Sequence, residues 1–307
     1  DSAIYFKVSE AKANLEKDQK EYDGFFVYMS GLWTGIPEFY ARNANPVIIA
    51  DELYTGSGGF LQTHSLVMKE NLPVVSVSSS DFNDIVQAVQ LIDVIKKLKE
   101  TKILTIATDD SQSDWIPDEE TLALSEDIFG IENVRIGPGK LREYYDNVDE
   151  DTAKKLRKKW IDEAKEVVEP DEDEILKSAK LHYALVKAVE EYDADAVTVD
   201  CLDLYYSDKL FAYPCLSFFH LGNIGKVGVC EADLNSTISQ LIIKYTTGMT
   251  GFVSDPVIDT AASQIIYAHC VCTNKPFGKY EEENPYKIRT HAEDKDGASI
   301  QSMLPVG

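Results

Sequence analysis

The stretch GKVGVCEADLNSTISQLIIKYTTGMTGFVSDPVID, Gly225–Asp259, decides the fold. Lys226–Glu231 reads as a buried strand closed by a carboxylate, Glu231. Asp233 or Asn235 offers a side-chain oxygen to the free N–H groups of a helix start. That helix runs to Thr247, with Ile238, Leu241, Ile242 and Tyr245 forming its apolar face, and Gly248 ends it. Gly251–Ser254 is expected as the next strand, closed by Asp255 ahead of Pro256. A strand–helix–strand unit predicts parallel strands, about 5 Å apart where they are neighbours. Ligands of open α/β sheets bind beyond the carboxyl ends of the strands. Glu231 and Asp255 are therefore expected to face one point. Two such carboxylates repel each other unless a shared proton or a cation compensates, and hard oxygen ligands suit magnesium or manganese. Alone, either acid reads equally well as a helix cap or a loop partner.

The same rhythm extends in both directions. GFFVYM (Gly24–Met29), PVIIAD (Pro46–Asp51) and PVVSVS (Pro73–Ser78) read as strands. Helical patterns lie between them over Ile36–Asn43 and Gly58–Glu70, and a third, capped by Asp81 or Asn83, covers Ile85–Thr101. KILTIAT (Lys102–Thr108) opens a second series, which DAVTVD (Asp195–Asp200) continues. Between them, Asp149–Ile175 mixes both charge signs at helical spacing and predicts a solvated helix pair, followed by an amphipathic helix over Glu174–Tyr192. After Asp255, QIIYAHCVC and KIRTHAEDKDGASIQSMLPVG read as short strands joined by turns. The fold class is thus α/β: two serial Rossmann-like parallel-sheet domains, residues 1–100 and 101–255, then the start of an antiparallel β domain over 256–307 that the chain does not finish.

Composition bounds the function. A chain of 307 residues, 44% hydrophobic and 27% charged, builds a core without disulfide or metal. Thirty basic residues stand against 53 acidic ones, a net charge of −23. Such a field repels phosphate backbones and anionic lipid, which argues against nucleic acid and membrane surfaces; it attracts cations and tolerates neutral substrates. No run of about 18 apolar residues is present to span a membrane. The five cysteines, Cys201, Cys215, Cys230, Cys270 and Cys272, are odd in number and lack zinc-finger spacing. They read as reduced and buried, which together with the missing signal peptide points to the cytoplasm.

The residues from Pro214 to Cys270, PCLSFFHLGNIGKVGVCEADLNSTISQLIIKYTTGMTGFVSDPVIDTAASQIIYAHC, resemble the core of the L-fucose isomerase and L-arabinose isomerase superfamily, closest to the fucose-isomerase-like branch. YDGFFVYMSGLWTGIPEFYARNANPVIIADELYTGSGGF (Tyr22–Phe60), LPVVSVSSSDF (Leu72–Phe82) and DAVTVDC (Asp195–Cys201) share the resemblance. It implies a metal-dependent aldose–ketose isomerase, usually manganese-dependent, acting through an ene-diol on a pentose or 6-deoxyhexose. The family's Glu and Asp that bind the ion and move protons match Glu231 and Asp255. Its third metal ligand, a His of the C-terminal β domain, is expected beyond Gly307, so that the chain is expected to be truncated. The resemblance also implies trimers or hexamers with shared sites.

The chemistry explains why such residues are needed. Aldose–ketose isomerisation removes a proton next to a carbonyl and returns it one carbon over, and the intermediate needs positive charge on its oxygens. Glu231 is assigned the base, and Asp255 the ligand and acid, although the two roles can be exchanged. Other candidates surround this pair. His269 is either a neighbour of the site or a packed strand residue; His291, beside Arg289, is a candidate for substrate or metal contact. Asp200 and Cys201 end a strand on the expected ligand edge. Trp33 offers a face for stacking on a sugar ring. TGSGGF (Thr55–Phe60) lacks phosphate-loop spacing and reads as a glycine-rich turn. His64, His182 and His220 read as structural or surface residues, and Cys230 as core packing. Two other readings compete: a sugar-binding module without chemistry, and a degenerate relative that only binds or assembles.

Overall fold

The structure, a computed structural model, describes residues 3–31, 33–109, 111, 113, 116–280 and 282–306. It divides into two compact units, Asp1–Lys97 and Leu98–Gly307. The first contains α1 (Val8–Glu21), β1 (Phe25–Met29), α2 (Ile36–Asn43), β2 (Val47–Asp51), α3 (Ser57–Glu70), β3 (Val74–Val77) and most of α4 (Phe82–Lys99). The three strands form a parallel sheet in the order β1–β2–β3, with Phe25 opposite Val47 and Val47 opposite Val74. The central strand, VIIAD, is buried throughout, as an apolar run inside a parallel sheet must be. Leu15, Tyr40, Val47, Ile49 and Phe60 pack into its core. The glycine-rich turn has a steric cause: a Cβ on Gly56 would come within 1.9 Å of the Met29 carbonyl oxygen.

The second unit opens with β4 (Lys102–Ile106), α5 (Glu119–Phe129), β5 (Glu132–Ile136), α6 (Pro138–Asp146), α7 (Glu150–Glu163), β6 (Glu166–Val167) and α8 (Glu172–Glu191). It continues with β7 (Ala196–Val199), α9 (Cys201–Tyr206), α10 (Cys215–Asn223), β8 (Val227–Cys230) and α11 (Leu234–Thr247). The last strands are β9 (Asp255–Asp259), β10 (Gln264–Ala268), β11 (Tyr286–Arg289) and β12 (Ser299–Ser302). Four parallel strands run in the order β5–β4–β7–β8. Helix α8 starts where Asp171 accepts hydrogen bonds from the backbone of Asp173 and Glu174. Its Leu181 and Leu185 pack with Leu104, Val197 and Phe218 in the main core. The mixed-charge helix α7 is solvated as expected, with i,i+4 pairs Lys154–Glu150 and Lys158–Asp162 outside and Leu156 and Trp160 inside.

The two central histidines are packed. Trp160 Nε1 donates to His220 Nδ1 at 3.2 Å, the His182 and His220 rings lie 4.8 Å apart, and His182 Nδ1 meets Ser217 Oγ at 3.0 Å. In the first unit the His64 ring stacks on Phe60.

Strands β11 and β12 pair antiparallel, and β11 also pairs in parallel with β6. The molecule is of the α/β class. The strand expected at Gly251–Ser254 is not formed; those residues are irregular, and Asp255 begins a strand instead of closing one. The reason is local. DPVID and QIIYA alternate well enough to pair across a four-residue turn, so β9 and β10 close on each other as a hairpin, without the longer loop closure that a parallel pairing to β8 requires. Among the described residues no helix is long and apolar enough to cross a membrane.

Candidate functional site

Strands β7 and β8 end side by side, with Val199 opposite Cys230. Beyond them the chain presents Asp200 and Cys201 on one strand end, and Glu231 and Ala232 on the other. Ala232 N–H donates to the Val199 carbonyl at 3.0 Å, which ties the two ends together. To turn from β8 into α11 within two residues, Glu231 and Ala232 both take left-handed backbone, φ 67° and 55°. This conformation costs an L-residue roughly 1–2 kcal/mol, and such strain gathers at functional sites. Asp233 then caps α11 by accepting from Ser236 N–H at 3.0 Å.

Asp255 reaches the same place by another route. In the β9–β10 hairpin it sits opposite Ala268, so the next residue, His269, lies beside it. The His269 side chain is 4% exposed, and its Nε2 lies 3.8 Å from Glu231 Oε1 and 3.7 Å from Asp255 Oδ2. Glu231 is 25% exposed at its side chain and Asp255 78%, so the group opens to solvent on the Asp255 side. Burial raises the Glu231 carboxyl above its ordinary range; His269 opposes this and the Asp255 charge adds to it. Burial pushes the His269 imidazole down, but Cys270 and the charges of Asp255 and Glu231 outweigh it, so the ring holds its proton more tightly than usual.

The other edge of the same imidazole faces sulfur. His269 Nδ1 lies 3.5 Å from Cys270 Sγ, which lies 3.9 Å from Cys230 Sγ. Cys270 also meets Cys215 and His291, and Cys230 meets Cys201. Hydrogen bonds from Cys215 and Cys230 hold the Cys270 thiol below the usual range, against burial. Cys230, His269 and Cys270 place donor atoms within 4.8 Å of one another and can hold a metal ion.

The remaining sequence candidates divide. Asp200 is buried and accepts from Ser111 Oγ at 2.7 Å; burial raises its carboxyl and Ser111 opposes the shift. Cys201 joins the thiols through Cys230. His291 is buried, its Nδ1 3.6 Å from Asp294 Oδ1 and its ring stacked 4.4 Å from Tyr213. Trp33 belongs to the first unit, is 70% exposed, and lies against the first turn of α3, where a Cβ on Gly58 would come within 3.1 Å of its Nε1. Cys201, Glu231, Asp255, His269 and His291 are therefore brought together, with Asp200 beside Cys201.

Sequence reasoning missed that Cys215, Cys230 and Cys270 converge. The signal was weak: each thiol lies at an element end facing the carboxyl edge of the sheet, but they come from separate segments. It also missed Asp51 at the end of β2, whose carboxylate is buried and accepts from Ser57 Oγ at 2.6 Å. A cavity of about 20 Å³, bounded in part by Phe218, Gln240, Val253 and Cys272, has room for a water but not a sugar, and none of the seven candidates lines it.

No family model matches the chain. Two curated proteins resemble it, the sulfoquinovose isomerases of Priestia aryabhattai and of Priestia megaterium (strain ATCC 12872 / QMB1551). Each is 25% identical to this chain over 142 residues. The aligned part makes up 45% of this chain, and the chain spans about 30% of the length of these curated relatives. The likeness is distant and partial, and it is to isomerases that act on a sugar.

Proposed function

We propose that the chain carries the carboxylate centre of a metal-dependent aldose–ketose isomerase, with a pentose or 6-deoxyhexose of the L-fucose or L-arabinose type as substrate. One observation carries the reading: two acids from separate elements, one on a strained strand end and one on a hairpin, meet a single buried imidazole at 3.8 and 3.7 Å. The distant likeness to sulfoquinovose isomerases supports the same reaction class.

Glu231 and Asp255 are the residues that would hold the divalent ion, Mn²⁺ or Mg²⁺. Their oxygens fit a hard cation, and burial and the neighbouring Asp255 charge disfavour the ionised form of Glu231 by more than His269 offsets, a cost that a cation would relieve. The bound ion supplies positive charge to the sugar oxygens as negative charge develops on them. The Glu231 carboxylate takes the proton from the carbon next to the carbonyl and returns it to the neighbouring carbon. Asp255, on the solvent side, exchanges the proton between the sugar oxygens. His269 lies between the two acids, 3.8 and 3.7 Å from them, and fixes their separation. Asp200 and His291 are assigned to orient sugar hydroxyls.

We place this enzyme in the cytoplasm as a homo-oligomer, a trimer or hexamer, whose protomers share sites. The hairpin β9–β10 supports association, because Val257, Ile258, Ile265 and Tyr267 are more than half exposed. The test is isomerisation of L-fucose, L-arabinose and sulfoquinovose with and without Mn²⁺, for the wild-type chain and Glu231→Gln. Turnover that chelator abolishes, and that falls at least about 100-fold in Glu231→Gln, is the expected result. Sugar binding with no metal requirement and no turnover would identify a binding module and end the isomerase reading.

A further inference from the structure

We infer that the buried thiols form a second metal site of soft character, a zinc-type centre with Cys230, Cys270 and His269 Nδ1 as its protein ligands. The inference stands on spacing. Zinc bonds sulfur at about 2.3 Å and imidazole nitrogen at about 2.0–2.1 Å, which sets tetrahedral edges of about 3.8 Å between two sulfurs and about 3.5–3.6 Å between sulfur and nitrogen. The chain holds Cys230 Sγ and Cys270 Sγ at 3.9 Å, and Cys270 Sγ and His269 Nδ1 at 3.5 Å. A disulfide would require about 2.05 Å, and all five cysteines are free. Magnesium or manganese prefers oxygen donors, so a donor set of sulfur and imidazole selects zinc or another thiophilic ion.

The ligands come from a strand end and from the segment after the hairpin, and two helix starts flank them. Cys230 ends β8, Cys201 and Cys215 begin α9 and α10, and Cys270 follows His269 beyond β10. Cys201, Cys215 and Cys230 are each at most 4% exposed, so the ion would lie inside the unit. Cys201 interacts with Cys230 and Cys215 with Cys270, so the two ligand sulfurs are flanked by further thiols. Cys272 lies outside the group, its thiol directed at the Thr273 carbonyl. A metal on His269 Nδ1 leaves the ring proton on Nε2, aimed at Glu231 and Asp255, which is the common outer arrangement of a metal-bound histidine. The soft site would thereby orient the imidazole that the carboxylates share.

The experiment is direct. The full chain is equilibrated with Zn²⁺, dialysed, and its metal counted by mass spectrometry; a second sample is loaded with Co²⁺ and its near-ultraviolet spectrum recorded. The expected results are about one zinc per chain and a thiolate-to-cobalt charge-transfer band. Cys230→Ser and Cys270→Ser should each weaken zinc retention by at least about tenfold. Cys272→Ser should keep it, and the thiolate-to-cobalt band separates this site from the oxygen donors Glu231 and Asp255. Wild-type chain that retains no zinc, a cobalt spectrum without the thiolate band, or undiminished retention in both Cys230→Ser and Cys270→Ser would overturn the proposal. Should a serine variant fail to fold, the wild-type cobalt spectrum alone decides.

Discussion

Replacing Glu231 with glycine should stabilise the second unit while abolishing isomerisation. Glu231 sits at φ 67°, where an L-side chain costs roughly 1–2 kcal/mol and glycine almost nothing. Glycine costs about 0.5–1 kcal/mol in extra freedom of the unfolded chain. The difference leaves a net gain of about 0.5–1 kcal/mol, and removing a carboxylate that burial disfavours acts in the same direction. For a unit of this size that raises the melting temperature by about 1–4 °C. Ala232→Gly is the control, because Ala232 shares the left-handed backbone at φ 55° but carries no acid. It also deletes a fully buried methyl, worth about 0.8 kcal/mol, so it should come out near neutral and keep its turnover. Urea unfolding followed by fluorescence reads both variants, since Trp160 is buried in this unit. A Glu231→Gly chain that loses more than about 1 kcal/mol, or retains turnover, would refute the claim that strain at this strand end is kept for the carboxylate.

Two further outcomes follow from the second unit. Burial holds His182 neutral in the folded chain down to about 3, and His220 to about 4, whereas each takes a proton near 6.5 when unfolded. Their stabilising contribution is therefore complete above pH 6.5 and is lost as the pH falls toward 4; at pH 5 each should cost about 2 kcal/mol, read as a lower urea midpoint that His182→Gln partly restores. An equal midpoint at pH 7 and pH 5 would contradict the packing of the two rings. Asp233→Ala removes the α11 cap and should cost about 1 kcal/mol. If the cap also holds Glu231 in place, the Mn²⁺ affinity falls with it, whereas a purely structural cap leaves that affinity unchanged.

Sequence and structure agree where an element's own residues determine it. Val227–Cys230, α11 with its Asp233 cap and Gly248 stop, and α8 follow from apolar spacing and capping chemistry, which act within a few residues. Asp255 shows the opposite case. Its nearness to Glu231 was legible as a pair of acids, but the parallel strand meant to deliver it was not the one the chain forms. Tyr267 and Ala268 pair with Pro256 and Asp255, so hairpin register delivers the acid, and hairpin register depends on a turn that periodicity does not reveal. The thiols were less legible still. Cys201, Cys215, Cys230 and Cys270 are separated by 14 or more positions in the sequence, and only the ordering of β7, β8 and their following helices joins them. Asp51 was missed because it looks like the last residue of an apolar strand and nothing more.

The hairpin itself has an unusual task. All five residues of β10 are exposed, as are four of the five in β9. A two-stranded ribbon of that kind is marginal in water, yet its register alone sets Asp255 opposite Ala268 and so beside His269. In an antiparallel ladder, one of any two successive residues donates its N–H to the partner strand. The double variant Ile265→Pro/Ile266→Pro therefore must remove a ladder bond. Because both side chains are exposed, little buried apolar area is lost, and the unit's stability should change by less than about 1 kcal/mol. Asp255 should nevertheless lose its position, so Mn²⁺ affinity should fall as far as in Asp255→Asn, and zinc retention should weaken with it, because His269 and Cys270 directly follow β10. Undiminished Mn²⁺ affinity would mean that Asp255 is not held by the hairpin, and undiminished zinc retention would mean that the sulfur side of its ring, rather than β10, places His269.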